Sequence, residues 1–179
     1  MIDNNYEAIK QKHGNVVYSL KTHEKARERK ENYLLWIKWI NILLVGSILV
    51  VLILQLIFKT DLLNYIGIAL SVIEFIFIII QLNFDLQKDI YEHIKTSNQL
   101  WLIREKYLNL LIDIKNGLNK EVISKKRDEL DEQLSGIYKN AIKTSNKDYK
   151  EASKVLNSDE KPKSDDEEYK NFLPENLWS

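Results

Sequence analysis

The sequence predicts an all-α membrane protein: a two-transmembrane helical hairpin extended into a cytoplasmic helical stalk or bundle. Three observations carry this. Two apolar runs, Trp39 to Phe58 and Leu62 to Phe84, are separated only by Lys59-Thr60-Asp61, and Glu74 is their one charged residue. Each run reaches the roughly 20 apolar residues that a helix needs to cross a hydrocarbon core. A stretch such as Leu49-Val50-Val51-Leu52-Ile53-Leu54 shows no polar face at the helical period, unlike an ordinary soluble helix. Finally, two prolines and five glycines in 179 residues leave long helices unobstructed, and the polar remainder is too small to wrap two all-round apolar helices.

Four segments follow: a charged N-terminal helix over 1–35, the hairpin over 36–84, a cytoplasmic helical region over 85–156, and an acidic linker with an apolar tail over 157–179. In the first, Tyr6, Ile9, Val16, Val17 and Leu20 recur at roughly helical spacing. Gly14 interrupts them, which leaves one short amphipathic helix or two pieces. His13 and His23 fit no metal-ligand spacing and read as packing or surface histidines. From Thr22 to Tyr33 both signs of charge interleave, as on a solvated helix face. With 26 basic and 26 acidic residues in the chain, no basic surface for nucleic acid is expected. The positive charges have a topological reading instead. Arg27, Arg29, Lys30 and Lys38 precede the first span and Lys88, Lys95, Arg104 and Lys106 follow the second, against Lys59 alone in the turn. That bias places both termini in the cytoplasm, with Tyr33, Trp36 and Trp39 at the interface. No signal peptide is expected, since the first apolar run exceeds the about 7–15 residues of a signal core.

Within the spans, Asn41, Gln55 and Gln81 lie towards the run ends, where headgroup contact or interhelical hydrogen bonding accounts for them. Glu74 sits near the middle of the second span. A charged group facing lipid there costs about 2.5 kcal/mol or more, so it is expected to face a helix or water, or to be held neutral. Two readings stand: a pore-facing or gating carboxylate in an oligomer, or a buried group bonded to the neighbouring helix. Two spans cannot enclose an aqueous path, so any pore requires a homo-oligomer. Gly46, Ser47, Gly67, Ala69 and Ser71 permit close helix packing.

Past Phe84 the helix is predicted to continue unbroken, with Leu86, Ile90, Ile94, Trp101, Leu108 and Ile112 as its apolar stripe. Gly117 stops it, and Asn119 caps a helix carrying Ile123, Leu130, Leu134, Ile137 and Ala141, with Arg127 on the same stripe. Ser145-Asn146-Lys147-Asp148 reads as a capping box opening a last helix, its inner face Tyr149, Ala152, Val155 and Leu156. The stretch from Ser158 to Glu168 is acidic and proline-broken, hence a linker. Phe172, Leu173, Leu177 and Trp178 beyond it are costly in water and are expected to dock on the protein's own bundle or on a neighbouring subunit.

Nothing in the sequence matches a phosphate-binding glycine loop, a nucleophile elbow or a His-Glu-x-x-His zinc motif, so no enzyme is expected. His93 beside Glu92 and Asp89 reads as solvent-facing. No cofactor and no metal are expected, and the lack of cysteine excludes thiolate sites.

The Arg/Lys-rich approach to the first span, the stretch Trp101-Leu-Ile-Arg104-Glu-Lys-Tyr107-Leu108 and the segment Asn146-Lys-Asp-Tyr149-Lys-Glu-Ala152-Ser-Lys-Val-Leu156 resemble the SLATT family. These are two-transmembrane effectors associated with bacterial nucleotide-signalling and phage-defence systems. Tyr149, Ala152 and Leu156 follow its Tyr-x-x-Ala-x-x-x-Leu ending, and Phe172-Leu173-Pro174 resembles the tail of one subgroup. The resemblance implies an effector of the bacterial inner membrane that oligomerises and forms a pore or disrupts the membrane when triggered, causing growth arrest or death. With no sensor domain in this sequence, sensing would fall to a separate protein, such as one producing a nucleotide second messenger, or to a basic pocket between subunits. On this reading Glu74 is the pathway residue, and Trp101, Arg104 and Tyr107 are structural members of the stalk. The alternative is a non-conducting, membrane-anchored scaffold that recruits a cytosolic partner through its bundle or tail.

Overall fold

In a computed structural model the chain is described over residues 4–157, and all of its regular structure there is helical. The helices are α1 (Asn4–Phe58), α2 (Asp61–Asn83), α3 (Leu86–Lys115), α4 (Lys120–Asn140) and α5 (Asn146–Leu156). The described chain divides into two compact units, a bundle of residues 4–28 and 90–157 and a hairpin of residues 29–89. The linker and apolar tail predicted from Ser158 onward, with Phe172, Leu173 and Trp178, lie outside the described residues.

Gly14 does not break α1, because it is buried among the helices of the bundle, where packing outweighs its poor helix propensity. Ile9, Val16 and Leu20 from α1 meet Leu100, Ile103, Tyr107, Leu110 and Leu111 of α3 and Ile123 and Leu130 of α4 in one core. Leu134 and Ile137 pack against it, as the α4 periodicity predicts. Arg127, the polar member of that stripe, reaches Asn5 of α1 at 2.7 Å.

The chain turns where the sequence says it should. Gly117 has φ +89°, a conformation open to glycine at little cost, and ends α3. The Asn119 side chain accepts from the Glu121 amide at 2.9 Å. At α5, Ser145 Oγ accepts from the Asp148 amide while the Asp148 carboxylate accepts from the Ser145 amide, a complete capping box.

Three expectations are corrected. The helix does not run unbroken past Phe84: α2 stops at Asn83, and Asp85 restarts the chain as α3 by accepting from the Lys88 amide at 2.9 Å. A side chain that caps a new helix competes with continuing the old one. Nor is the inner face of α3 the predicted stripe. It consists of His93, Thr96, Ser97, Leu100, Ile103, Tyr107, Leu110 and Leu111, leaving Trp101 and Ile112 exposed. Thr96 and Ser97 can be buried because their hydroxyls donate to the Glu92 and Ile94 carbonyls, both at 2.9 Å, so hydropathy alone passes them over. On α5 the buried side is likewise Asp148 and Ala152, with Tyr149 and Val155 outside.

The hairpin has the opposite character. The apolar stretches of its two helices are long enough to cross a membrane, and no residue in the most apolar stretch of α1 is buried. A core helix of a soluble protein would be covered there; here large apolar side chains such as Leu43, Leu52, Leu56, Ile68 and Phe75 face outward. With the hairpin's length and composition, this is the surface of a membrane protein.

Candidate functional site

The covered face of the hairpin is narrow and regular. On α1 it includes Leu34, Ile37, Asn41, Leu44, Ile48, Val51 and Gln55, with Gly46 and Leu54 half-buried beside them, and on α2 it consists of Leu63, Gly67, Leu70, Glu74, Phe77 and Gln81. Steps of three and four alternate throughout, the spacing of an antiparallel coiled-coil seam. Gly67 fixes the register, since a Cβ placed on it would lie 3.4 Å from Val51 Cγ1. Carried along, that register sets Glu74 level with Leu44, Phe77 with Asn41, Leu63 with Gln55 and Gln81 with Ile37.

All four polar residues singled out in the spans thus fall on this seam. Glu74 is 6 % exposed. Both of its carboxyl oxygens, Asn41 Oδ1, Gln55 Oε1 and Gln81 Nε2 are buried without a hydrogen-bond partner among the described residues. Polar groups on the outer faces behave differently. Ser47 donates to the Leu43 carbonyl at 2.7 Å, Ser71 to the Gly67 carbonyl at 2.9 Å and Asn83 to the Ile79 carbonyl at 2.8 Å. These three outward groups are satisfied by their own helices, as lipid contact demands, while the inward ones have unbonded atoms. Gln81 also lines an apolar groove of about 660 Å³ walled by Trp36, Ile40, Phe77 and Phe84, dimensions suited to acyl chains. Near that end Lys30 pairs with Asp89, and Arg29 lies over the Tyr33 ring at 5.7 Å.

The bundle holds a second set of buried polar residues, mostly joined across helices. Tyr107, wholly buried, donates to Asp131 Oδ1 at 2.7 Å, and Lys12 pairs with Asp131 Oδ2, so one carboxylate clasps α1, α3 and α4. Burial, then Asp131, pushes the Tyr107 phenol well above its ordinary range, so it remains a donor. Arg104 bonds Glu105, its Nε at 3.0 Å, and lies 6.0 Å from the exposed Trp101 ring. Of the three residues predicted for the stalk, Tyr107 is inside, Arg104 is half-buried and Trp101 lies on the surface.

His13 and His23 are packing histidines, one of the two expected placements, whereas His93 is not where its neighbours suggest. All three are buried, including His93, for which a solvent-facing position is expected from its charged neighbours. His23 Nδ1 and His93 Nδ1 lie 3.0 Å apart with rings tilted at 54°, so one ring donates and the other accepts. Burial, followed by His93 and opposed by Asp148, lowers His23 to about 4. His13, lowered to about 4 by burial and then Arg104, has no hydrogen-bond partner for Nδ1 among the described residues. Among those residues no three His, Cys, Asp or Glu side chains converge as metal ligands. The signal that finds His93 is its place four residues before Ser97 and seven before Leu100, on the buried arc that the apolar stripe missed.

No curated protein and no solved structure matches the chain. The family model of the SMODS and SLOG-associating 2TM effector domain family 4 matches residues 6–168, covering the bundle, the hairpin and the predicted linker. The two apolar helices, the all-helical fold and this match agree: the chain belongs to the SMODS and SLOG-associating two-transmembrane effector domains.

Proposed function

We propose that the protein is a triggered effector of the bacterial inner membrane that assembles with copies of itself into a pore, both termini in the cytoplasm, arresting or killing the cell during conflict with a phage. The observation that carries this reading is the seam. In a protein immersed in lipid, five buried polar atoms without partners are a standing cost, about 1–3 kcal/mol for each group left unsatisfied. Dry helix packing offsets that cost in the closed hairpin. Were several hairpins to open and turn their seams towards a shared axis, water would satisfy Asn41, Gln55, Glu74 and Gln81 while the apolar outer faces stayed in lipid. The closed and assembled states then differ by a modest free energy, which a trigger acting on the bundle can tip. Both α1 and α3 carry chain from the bundle into the hairpin, which gives the trigger a covalent route. The trigger would come from a separate sensor or messenger-producing partner.

The test is membrane potential and dye entry in bacteria expressing the wild type beside Glu74→Gln, with and without the cognate defence system and phage. Triggered depolarisation by the wild type, altered in Glu74→Gln, is expected. Silence from fully inserted wild type under infection overturns the pore.

A second reading, a non-conducting anchor that recruits a partner, is favoured by the predominantly apolar exterior of the hairpin. It predicts that Glu74→Gln is tolerated and that function depends instead on Phe172 or Trp178.

A further inference from the structure

We infer that the pore passes small monovalent cations and excludes anions, and that Glu74 is the residue that sets this preference. The inference rests on the pore reading above and adds to it the class of ion. It follows from what the seam contains and lacks. Between Gln55 and Asn41 on α1, and between Leu63 and Gln81 on α2, the seam holds amides, one carboxyl and otherwise Leu44, Ile48, Val51, Leu63, Gly67, Leu70 and Phe77. It has no lysine, arginine or histidine. Amides offer both a donor and an acceptor, so rings of Asn41, Gln55 and Gln81 wet a path without choosing a sign. Glu74 is the seam's one ionisable side chain, and it lies well inside the apolar length rather than at a mouth.

The orientation of the unbonded atoms supports the same choice. Four of the five partnerless atoms are oxygens: both of Glu74, Asn41 Oδ1 and Gln55 Oε1. Oxygens able to accept are what a partly dehydrated cation requires; the amide NH2 groups would serve an anion equally, so the choice of sign falls to the Glu74 oxygens. In an assembly of several copies Glu74 would recur once per subunit at one depth, forming a carboxylate ring of the kind that selects cations. Apolar walls strengthen its field, because charges beside a low-dielectric surface are poorly screened. At the turn Lys59 is followed two residues later by Asp61, so that end carries no net charge to oppose the ring.

The experiment uses the purified full-length chain reconstituted at high protein-to-lipid ratio, with insertion checked by protease protection. Current is recorded across planar bilayers under a potassium chloride gradient. Wild type is expected to reverse near the potassium equilibrium potential, with potassium at least about tenfold more permeant than chloride. Glu74→Gln should still conduct with that ratio falling towards one, and Glu74→Asp should restore it. Conduction by wild type without preference, or with preference for chloride, overturns the inference and leaves the pore standing. Cation preference unchanged in Glu74→Gln overturns the assignment to Glu74. An absence of any current from inserted protein, together with silence of the inserted wild type in infected cells, defeats the pore reading itself, and the inference falls with it.

Discussion

The two units of this chain solve the problem of buried polarity in opposite ways. In the bundle, Tyr107, Asp131 and Lys12 join three helices through one carboxylate, His23 faces His93, and Asp148 is spent on the cap of α5. In the hairpin, Ser47, Ser71 and Asn83 facing outward are bonded to their own backbone, and Asn41, Gln55, Glu74 and Gln81 facing inward have unbonded atoms. Water explains the contrast. A bundle in water gains by covering apolar surface, so most of its interior polar groups are partnered, His13 Nδ1 being an exception. A hairpin in lipid gains nothing from covering apolar surface, so what its seam retains must serve packing or a second state.

The sharpest way to break the comparison is to truncate one leucine in each unit. Leu100 is wholly buried in the bundle core, and Leu100→Ala should cost about 2–5 kcal/mol through lost transfer energy and the cavity left behind. Leu52 faces outward in the hairpin, where a lipid or detergent tail fills the space, so Leu52→Ala should cost well under 1 kcal/mol. Thermal unfolding of the full chain in detergent, followed by circular dichroism, compares them. Equal losses would mean that the hairpin face is covered by protein.

Acid should act on the buried histidines of the bundle. His13 and His23 are held neutral in the folded state, each near 4 against an ordinary value of about 6.5. The folded chain therefore binds fewer protons than the unfolded one in this window. Stability is full above about pH 6.5 and falls as pH drops towards 4, by something on the order of 2–4 kcal/mol in all. The melting temperature of the wild type should fall between pH 7.5 and 5, and the decrease should shrink in His13→Gln with His23→Gln. A melting temperature flat across that range would show that these rings are not shielded as the fold places them.

Intermediate effects come from single polar groups, and their signs should oppose. Tyr107→Phe leaves Asp131 Oδ1 without its buried donor and should destabilise by about 1–3 kcal/mol. Glu74→Leu replaces an unbonded carboxyl on the seam with an apolar side chain and should stabilise the closed hairpin by about 1–2 kcal/mol while abolishing triggered depolarisation. A variant that melts higher yet has lost activity is the signature of a polar group kept for a second state. If Glu74→Leu melts lower, the carboxyl is contributing to packing and the second state loses its main support.

How far these contrasts can be read from sequence follows from the strength of each local signal. The hairpin and its turn stand out because two apolar runs flanking Lys59-Thr60-Asp61 admit few other folds in water or lipid. The caps at Asn119 and Ser145 and the stop at Gly117 are local chemistry, and each forms as its residues indicate. The seam was present in the numbering too: Gly67, Glu74 and Gln81 are seven apart, and Asn41 and Gln55 fourteen. Uniform hydropathy hides that period, since in lipid the covered and exposed faces of a helix are equally apolar. The inner face of α3 was obscured for the reverse reason, because His93, Thr96 and Ser97 are polar by composition yet buried once their bonds are made.

The smallest effect separates the two solvents at the level of the backbone. Gly136 lies on an exposed turn of α4 with open space around its Cα, so Gly136→Ala should stabilise the bundle by about 0.5–1 kcal/mol, the ordinary gain in helix propensity. Gly46 also has open space, but it lies within the apolar part of α1. Backbone groups in hydrocarbon have no water to turn to, so the helix is nearly obligatory there whatever the residue, and Gly46→Ala should change the melt little. Hydrogen exchange provides the finer readout: protection should rise around residue 136 in the first variant and stay constant around residue 46 in the second. A gain of the same size at both positions would place the α1 segment in water, and with it would go the reason its polar seam is unusual.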